Sequence, residues 1–176
     1  MPSPSNAVIR NAVPADIGAL TELAATTYHE TYDEFLDPGE IDDYIAEHFN
    51  ATAFSMILRD AASTLMVAAD AIHLVGYAQL RVSHPPACVT APAPIELCRL
   101  YVRRDAIGRG HGAALMAAAH AEARRRGCKT IWLIIYPRNM RARKFYRKQG
   151  FGEVGTTEFA FGGRMYVDPI LCVAVK

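Results

Sequence analysis

The stretch LYVRRDAIGRGHGAALM, Leu100 to Met116, joins an apolar strand pattern to an alanine-rich helix through three glycines in five positions. Each glycine there forfeits side-chain packing and adds chain entropy to be lost on folding, so bare backbone at a helix mouth needs a reason. A helix start leaves several backbone N–H groups without partners and carries a partial positive charge, which makes it a natural seat for phosphate oxygens. This helix has no Ser, Thr, Asp or Asn cap beside its apolar run. Gly108, Gly110 and Gly112 would let the main chain close on a diphosphate with no Cβ in the way. Arg109, Arg103 and Arg104 would add charge, and His111 would contribute its backbone N–H. The same glycines suit a tight strand-to-helix turn that requires positive φ.

Around that unit the pattern is mixed α/β. A short strand is expected over residues 7–11, a helix over 14–28 with Ile17, Leu20, Leu23 and Ala24 at helical spacing, then helices over 41–49, after DPGE, and 53–59. Strands over 64–69 and 73–82 flank Asp70, Ala71 and Ile72 as a hairpin, and HPPACVTAPAP, with four prolines, is a loop. A strand over 95–103, a helix over 110–126, a strand over 129–136, a helix over 139–148 and strands over 151–161 and 164–175 complete the chain. The expectation is one domain over 1–176, residues 1–6 forming a disordered tail.

With 176 residues and 51% hydrophobic content, such a chain buries roughly 70% of its unfolded surface without a disulfide or metal. Its opening, MPSPSN, has no basic region followed by an apolar core, and no apolar run approaches the roughly 20 residues of a membrane helix. A soluble, cytoplasmic protein is expected. Cys88, Cys98, Cys128 and Cys172 lack CxxC pairing and are expected as buried free thiols; the six histidines form no i, i+4 pair, so no metal is assigned. The net charge of +1 conceals segregation: Asn11 to Leu58 holds ten acids and no Lys or Arg, whereas Arg99 to Lys148 holds fourteen Lys or Arg against Asp105 and Glu122. Anion binding on one half and cation binding on the other would leave this imbalance, as would solvated helix faces.

Three phosphate patterns compete for the glycine loop. A P-loop requires GK[ST] at the helix start, and GHGAA supplies neither the Lys nor the hydroxyl. Gly108, Gly110 and Ala113 fit the dinucleotide pattern GxGxxA, but the next strand ends IIYPRN, with no acid for a ribose. The third pattern, (Q/R)xxGx(G/A) after a strand of the form LxV, is the coenzyme A loop of the GNAT N-acetyltransferases, and LYV with GRGHG resembles it. IELCRLYV, LVGYAQL and NMRARKFYRKQGFGEVG resemble further parts of that family, so that the likeness extends from Val8 to about Val175. Within it, TYHETYDEFLDPGEIDDYIAEHFN, KTIWLIIY and RKFYRKQGF look most like the PaiA-type spermidine/spermine acetyltransferases. Ile107 departs from the family's Gln or Arg.

The resemblance implies a fold of about seven strands with a central β-α-β unit that binds coenzyme A, helices on both faces, and acetyl-CoA as cosubstrate. It implies that the backbone of Leu100, Tyr101 and Val102 pairs with the pantetheine arm like an added strand, and that Gly108, Arg109, Gly110, His111, Gly112 and Ala113 hold the diphosphate. Asn139 would bond the pantetheine, and Tyr146 would meet the coenzyme sulfur and donate its proton. These two lie seven residues apart, close to two helical turns, on one helical stripe. Read without the resemblance, Tyr146 is a half-buried core aromatic and Asn139 a helix N-cap.

Acetyl transfer to an amine needs that amine neutral, a state that a primary amine of pKa about 10.4 reaches about once in 2,500 at pH 7, a deficit of roughly 4.6 kcal/mol. A base or water relay therefore matters, and Glu96, a carboxylate amid Ile95, Leu97 and Leu100, is the candidate. Its plainer role is a rim carboxylate that holds Arg99. Cys98 has no His or Asn partner at a recognisable spacing and is not read as a nucleophile. In this family the segment linking the first two strands usually walls the acceptor cleft. Here that segment clusters Glu30, Asp33, Glu34 and Asp37 around Tyr28, Tyr32 and Phe35, with Tyr28, Glu30, Tyr32 and Asp33 the expected substrate contacts. Carboxylates interleaved with aromatics suit a polyamine or similar small amine by charge and cation–π contact. The competing activities are acetylation of a protein α-amine or lysine, and non-catalytic binding of acetyl-CoA. RRRGCK lacks interleaved aromatics, so neither nucleic acid nor membrane is expected as a partner, while a homodimer is compatible.

Overall fold

The computed structural model describes residues 7–176; the expected tail at 1–6 lies outside the described residues. The elements in chain order are β1 (Val8–Asn11), α1 (Ile17–Tyr32), α2 (Pro38–His48), α3 (Ala51–Arg59), β2 (Ser63–Ala69), β3 (Leu74–Arg81), β4 (Pro94–Val102), α4 (His111–Arg125), β5 (Thr130–Ile134), α5 (Met140–Gln149), β6 (Gly152–Phe161) and β7 (Arg164–Ala174). The strands form a seven-stranded mixed sheet in the order β1-β2-β3-β4-β5-β7-β6. β4 and β5 run parallel, while β1 with β2, β5 with β7 and β6 with β7 are antiparallel. No helix among the described residues is long and apolar enough to cross a membrane. The chain divides into two compact units, one of the residues up to Gln79 with Arg99–Ala118, the other of Leu80–Cys98 with Ala119–Lys176.

In the first unit, Leu20, Leu23, Ala24, Thr27 and Tyr28 recur at helical spacing and are the buried stripe of α1. They pack with Ile41 of α2, Phe54 of α3 and Phe49 between them, and with Leu65, Val67, Leu74 and Tyr77 of β2 and β3. α1 runs to Tyr32, one turn past the expected end, because Thr31 Oγ1 donates to the Thr27 carbonyl at 2.7 Å and the Tyr32 ring lies 4.5 Å from Tyr28. α2 starts at Pro38, three residues before the expected start. DPGE is its cap: Asp37 accepts from the Gly39 N–H at 2.9 Å, and Pro38 occupies the first turn, where its missing N–H costs nothing. Asp70 fixes the β2–β3 hairpin by accepting from the N–H groups of Ile72 and His73 at 2.8 and 2.7 Å.

Gly76 of β3 shows why this unit tolerates no side chain there. A Cβ would lie 2.8 Å from the Tyr101 carbonyl oxygen and 3.2 Å from both Leu115 of α4 and Val102. Its neighbour Tyr77 is fully buried against the α1–α3 cluster, so strand alternation puts α4 on the opposite face of β3.

In the second unit, β7 pairs with β5 from Ile134–Ile170 to Thr130–Ala174 and with β6 along the long hairpin that closes at Gly162 and Gly163. α5 opens on Asn139, whose side chain accepts from Ala142 N–H, and stops at Gly150 with φ 94°. The free thiols differ from expectation: Cys128 is buried, but Cys88, Cys98 and Cys172 are half-buried.

Two glycine replacements should separate crowding from entropy. Gly76→Ala is expected to cost about 1–3 kcal/mol in chemical denaturation, because a main-chain oxygen cannot retreat. Gly18→Ala, in exposed α1 with nothing within 4 Å of the new methyl, should gain about 0.5–1 kcal/mol.

Candidate active site

β4 delivers the chain to the glycine turn. Its pairing with β5 runs from Pro94 to Glu96 opposite Thr130 to Trp132, and Leu100, Tyr101 and Val102 lie outside that register. After Val102 a 3-10 turn over Arg104–Ala106 leads through Ile107 to Gly108, with φ 84°, and Gly110, with φ 91°. α4 begins at the next residue, His111, which is buried.

At Gly108 and Gly110 a positive φ alone selects glycine, since an added Cβ meets nothing within 4 Å. Gly112 differs. It lies in the first turn of α4 without a positive φ, where glycine costs about 1 kcal/mol against alanine. The backbone turn therefore accounts for two of the three glycines, and a positive φ does not account for Gly112. The open space beside Gly108 and Gly110 leaves room for a diphosphate, so the loop fits the group expected of it.

The basic residues around the loop are less available than their number implies. Arg103 is paired with Asp105 at 2.6 Å. Arg104 donates its guanidinium to the Glu30 carbonyl at 2.7 Å and its backbone N–H to the Glu30 carboxylate at 2.8 Å. Arg109 is exposed.

Of the expected substrate contacts, Glu30 is thus tied to the β4–α4 turn. Asp33 bonds His29 Nδ1 at 2.9 Å, and that ring's Nε2 faces Asp42 at 3.4 Å. Tyr28 is buried, stacked on Tyr44 at 4.8 Å and edge-on to Phe49 at 5.3 Å, with Tyr101 of β4 at 6.5 Å. Burial pushes the phenols of Tyr28, Tyr77 and Tyr101 above the ordinary tyrosine range, so all three stay neutral. Tyr32 is half-buried beside Tyr28.

In the second unit, Glu96 does not hold Arg99, the plainer role expected of it. Its Oε2 accepts from Arg81 at 2.9 Å and from Ser83 Oγ at 2.7 Å, because β3 and β4 flank the proline loop and bring residues fifteen apart together. Tyr146 is buried, edge-on to Phe145 at 5.2 Å and Phe151 at 5.3 Å. Asn139 is the N-cap of α5, so its Oδ1 is engaged.

Arg81 and Ser83 were not singled out from sequence. Arg81 ends β3 and Ser83 opens the loop after it, and their partner on β4 depends on the path of that loop, which composition does not encode. Sequence marks Arg99 only as a partner of Glu96.

The family model described as the acetyltransferase (GNAT) family matches residues 23–151. The chain belongs to that family. An uncharacterized N-acetyltransferase of Mycobacterium tuberculosis is 28% identical to this GNAT chain over 156 residues, which are 89% of this chain and 96% of that protein. Among solved structures, PaiA N-acetyltransferase from Thermoplasma acidophilum in complex with coenzyme A matches with a TM-score of 0.81 at 20% identity, covering 96% of this chain and 99% of that one. YncA of Salmonella typhimurium with its cofactor acetyl-CoA matches with a TM-score of 0.66 at 21% identity, over 98% and 95% of the two chains. Those likenesses establish the GNAT fold.

The bond from Glu30 to Arg104 ties α1 to the start of the glycine turn. Glu30→Ala should speed hydrogen exchange of the amides of Arg104, Asp105 and Ala106 while leaving α5 unchanged, a pattern that amide exchange read by mass spectrometry resolves.

Proposed function

We propose that this chain transfers the acetyl group of acetyl-CoA directly to a primary amine of a small molecule. The observation that carries the reading is Gly112, a glycine at the mouth of α4 that the chain's own conformation does not require. Main-chain N–H groups from Gly108 to Ala113 would face the diphosphate, helped by the positive end of α4 and by Arg109. The edge of Leu100, Tyr101 and Val102 would take the pantetheine, which is supported by their position outside the β4–β5 register. Acetyl-CoA supplies the acetyl group as a reactive thioester.

The remaining steps belong to side chains. Glu96 Oε would accept the proton of the acceptor's ammonium, directly or through water, while Arg81 and Ser83 hold the carboxylate in place. Tyr146 would hold a proton at Oη for the departing thiolate, its ring fixed between Phe145 and Phe151. Asn139 would orient the pantetheine through the amide group left after capping α5.

A polyamine as the acceptor is supported by the acidic, aromatic-rich segment and by the likeness to PaiA. Against it, Glu30, Asp33 and Asp37 are engaged with Arg104, His29 and the Gly39 N–H. That segment offers a polycation fewer open carboxylates than its composition implies.

Gly112→Ala tests the loop with opposite signs. Helix propensity should raise stability by about 1 kcal/mol, whereas coenzyme A affinity measured by calorimetry should fall at least tenfold. Tyr146→Phe should keep coenzyme A binding and lower the rate of thiol release in an amine screen by about 10²-fold or more. Unchanged turnover in that variant would assign Tyr146 to the core.

A further inference from the structure

We infer that Arg99 is the seat for an anionic group carried by the acceptor, so that the amine acetylated is an amino acid or an amino phosphate and not a polycation. The inference rests on the transferase reading above and names its acceptor class.

Arg99 lies on β4 two residues before Tyr101. Its guanidinium carbon stands 4.8 Å over the Phe49 ring, and its Nη1 is buried with no hydrogen-bond partner. The rings grouped with Phe49 are Tyr28, Tyr44 and Phe54, and Tyr77 stacks on Tyr101 at 5.6 Å. None of these supplies a negative charge, since the buried phenols stay protonated.

Other half-buried arginines in the fold are answered by carboxylates: Arg126 by Glu122 at 2.7 Å and Arg103 by Asp105 at 2.6 Å. Among the described residues Arg99 makes no ion pair, and Glu96, the acid nearest in sequence, is taken by Arg81 and Ser83. Glu40 at the start of α2 also has a buried carboxylate oxygen without a partner, yet it forms no ion pair with Arg99. A shielded guanidinium with no counter-charge is costly to the folded chain, and its planar donors match a carboxylate or phosphate. A stacked cation among neutral rings on the strand that precedes the glycine turn therefore reads as half of an ion pair whose other half arrives with the acceptor.

Calorimetry at saturating coenzyme A reads this without turnover, with 4-aminobutyrate, its carboxamide, O-phosphoethanolamine and spermidine as probes. The expected result is that 4-aminobutyrate or O-phosphoethanolamine binds at least tenfold more tightly than the carboxamide and spermidine, and that Arg99→Gln abolishes the margin. The two acids distinguish a carboxylate from a phosphate as the anion. Equal binding of acid and amide, tighter binding of spermidine, or a margin that survives Arg99→Gln overturns the inference. The melting temperature of ligand-free Arg99→Met, which keeps an apolar stem over Phe49, should equal or exceed that of the unmodified chain. A fall would make Arg99 a structural cation neutralised within the fold, and would likewise overturn it. The transferase reading fails separately, if no amine in the thiol-release screen is acetylated.

Discussion

The course of the main chain between Val102 and His111 is set by backbone conformation and not by side chains, and the proposed coenzyme binding depends on it. Two residues in the left-handed region turn the chain from β4 into α4. The turn leads into the start of a helix, and the space beside Gly108 and Gly110 is open. In the proposed function amide hydrogens do the binding, which would let the loop tolerate Ile107 where the family favours Gln or Arg. Upstream, Glu30 clasps the turn from α1, and Gly76 lets α4 lie close against β3 and the end of β4. Helix, strand and turn are thereby set by contacts that involve few polar side chains.

Charge in this protein is arranged differently from what its totals imply. The acidic first half and the basic middle look like two complementary surfaces, but much of each is spent inside the fold. Glu30 answers Arg104, Asp16 answers Arg10, and Asp37 caps α2. What stands out after those pairings is Arg99, whose guanidinium lies over an aromatic ring with its Nη1 buried and without a hydrogen-bond partner among the described residues. Specificity for the acceptor would then lie in that cation and not in a field of carboxylates.

The elements were legible in the sequence because their punctuation is local. The turn at Asp70 to Ile72 marked β2 and β3 as a hairpin, the 3.6-residue stripe marked α1, and Asn139 marked the start of α5. The misplaced boundaries, α1 at Tyr32 and α2 at Pro38, come from an i, i+4 aromatic contact and from a cap whose Asp-Pro pair looks like loop. The family emerged from several short motifs in register. Pairings across strands were not legible: that Glu96 meets Arg81 and Ser83, that Glu30 meets Arg104, and that Arg99 meets Phe49 all depend on loops whose paths no local pattern specifies. Those long-range pairings decide which charges are free, which is why the acceptor class was the part least readable from residue order.

The most direct measurement is nuclear magnetic resonance of the backbone amides during titration with coenzyme A and, separately, with pantetheine, which lacks the diphosphate. Amides from Gly108 to Ala113 should shift strongly with coenzyme A and hardly at all with pantetheine. Equal shifts with both compounds, or shifts confined to other segments, would contradict a diphosphate held by the bare main chain at the mouth of α4.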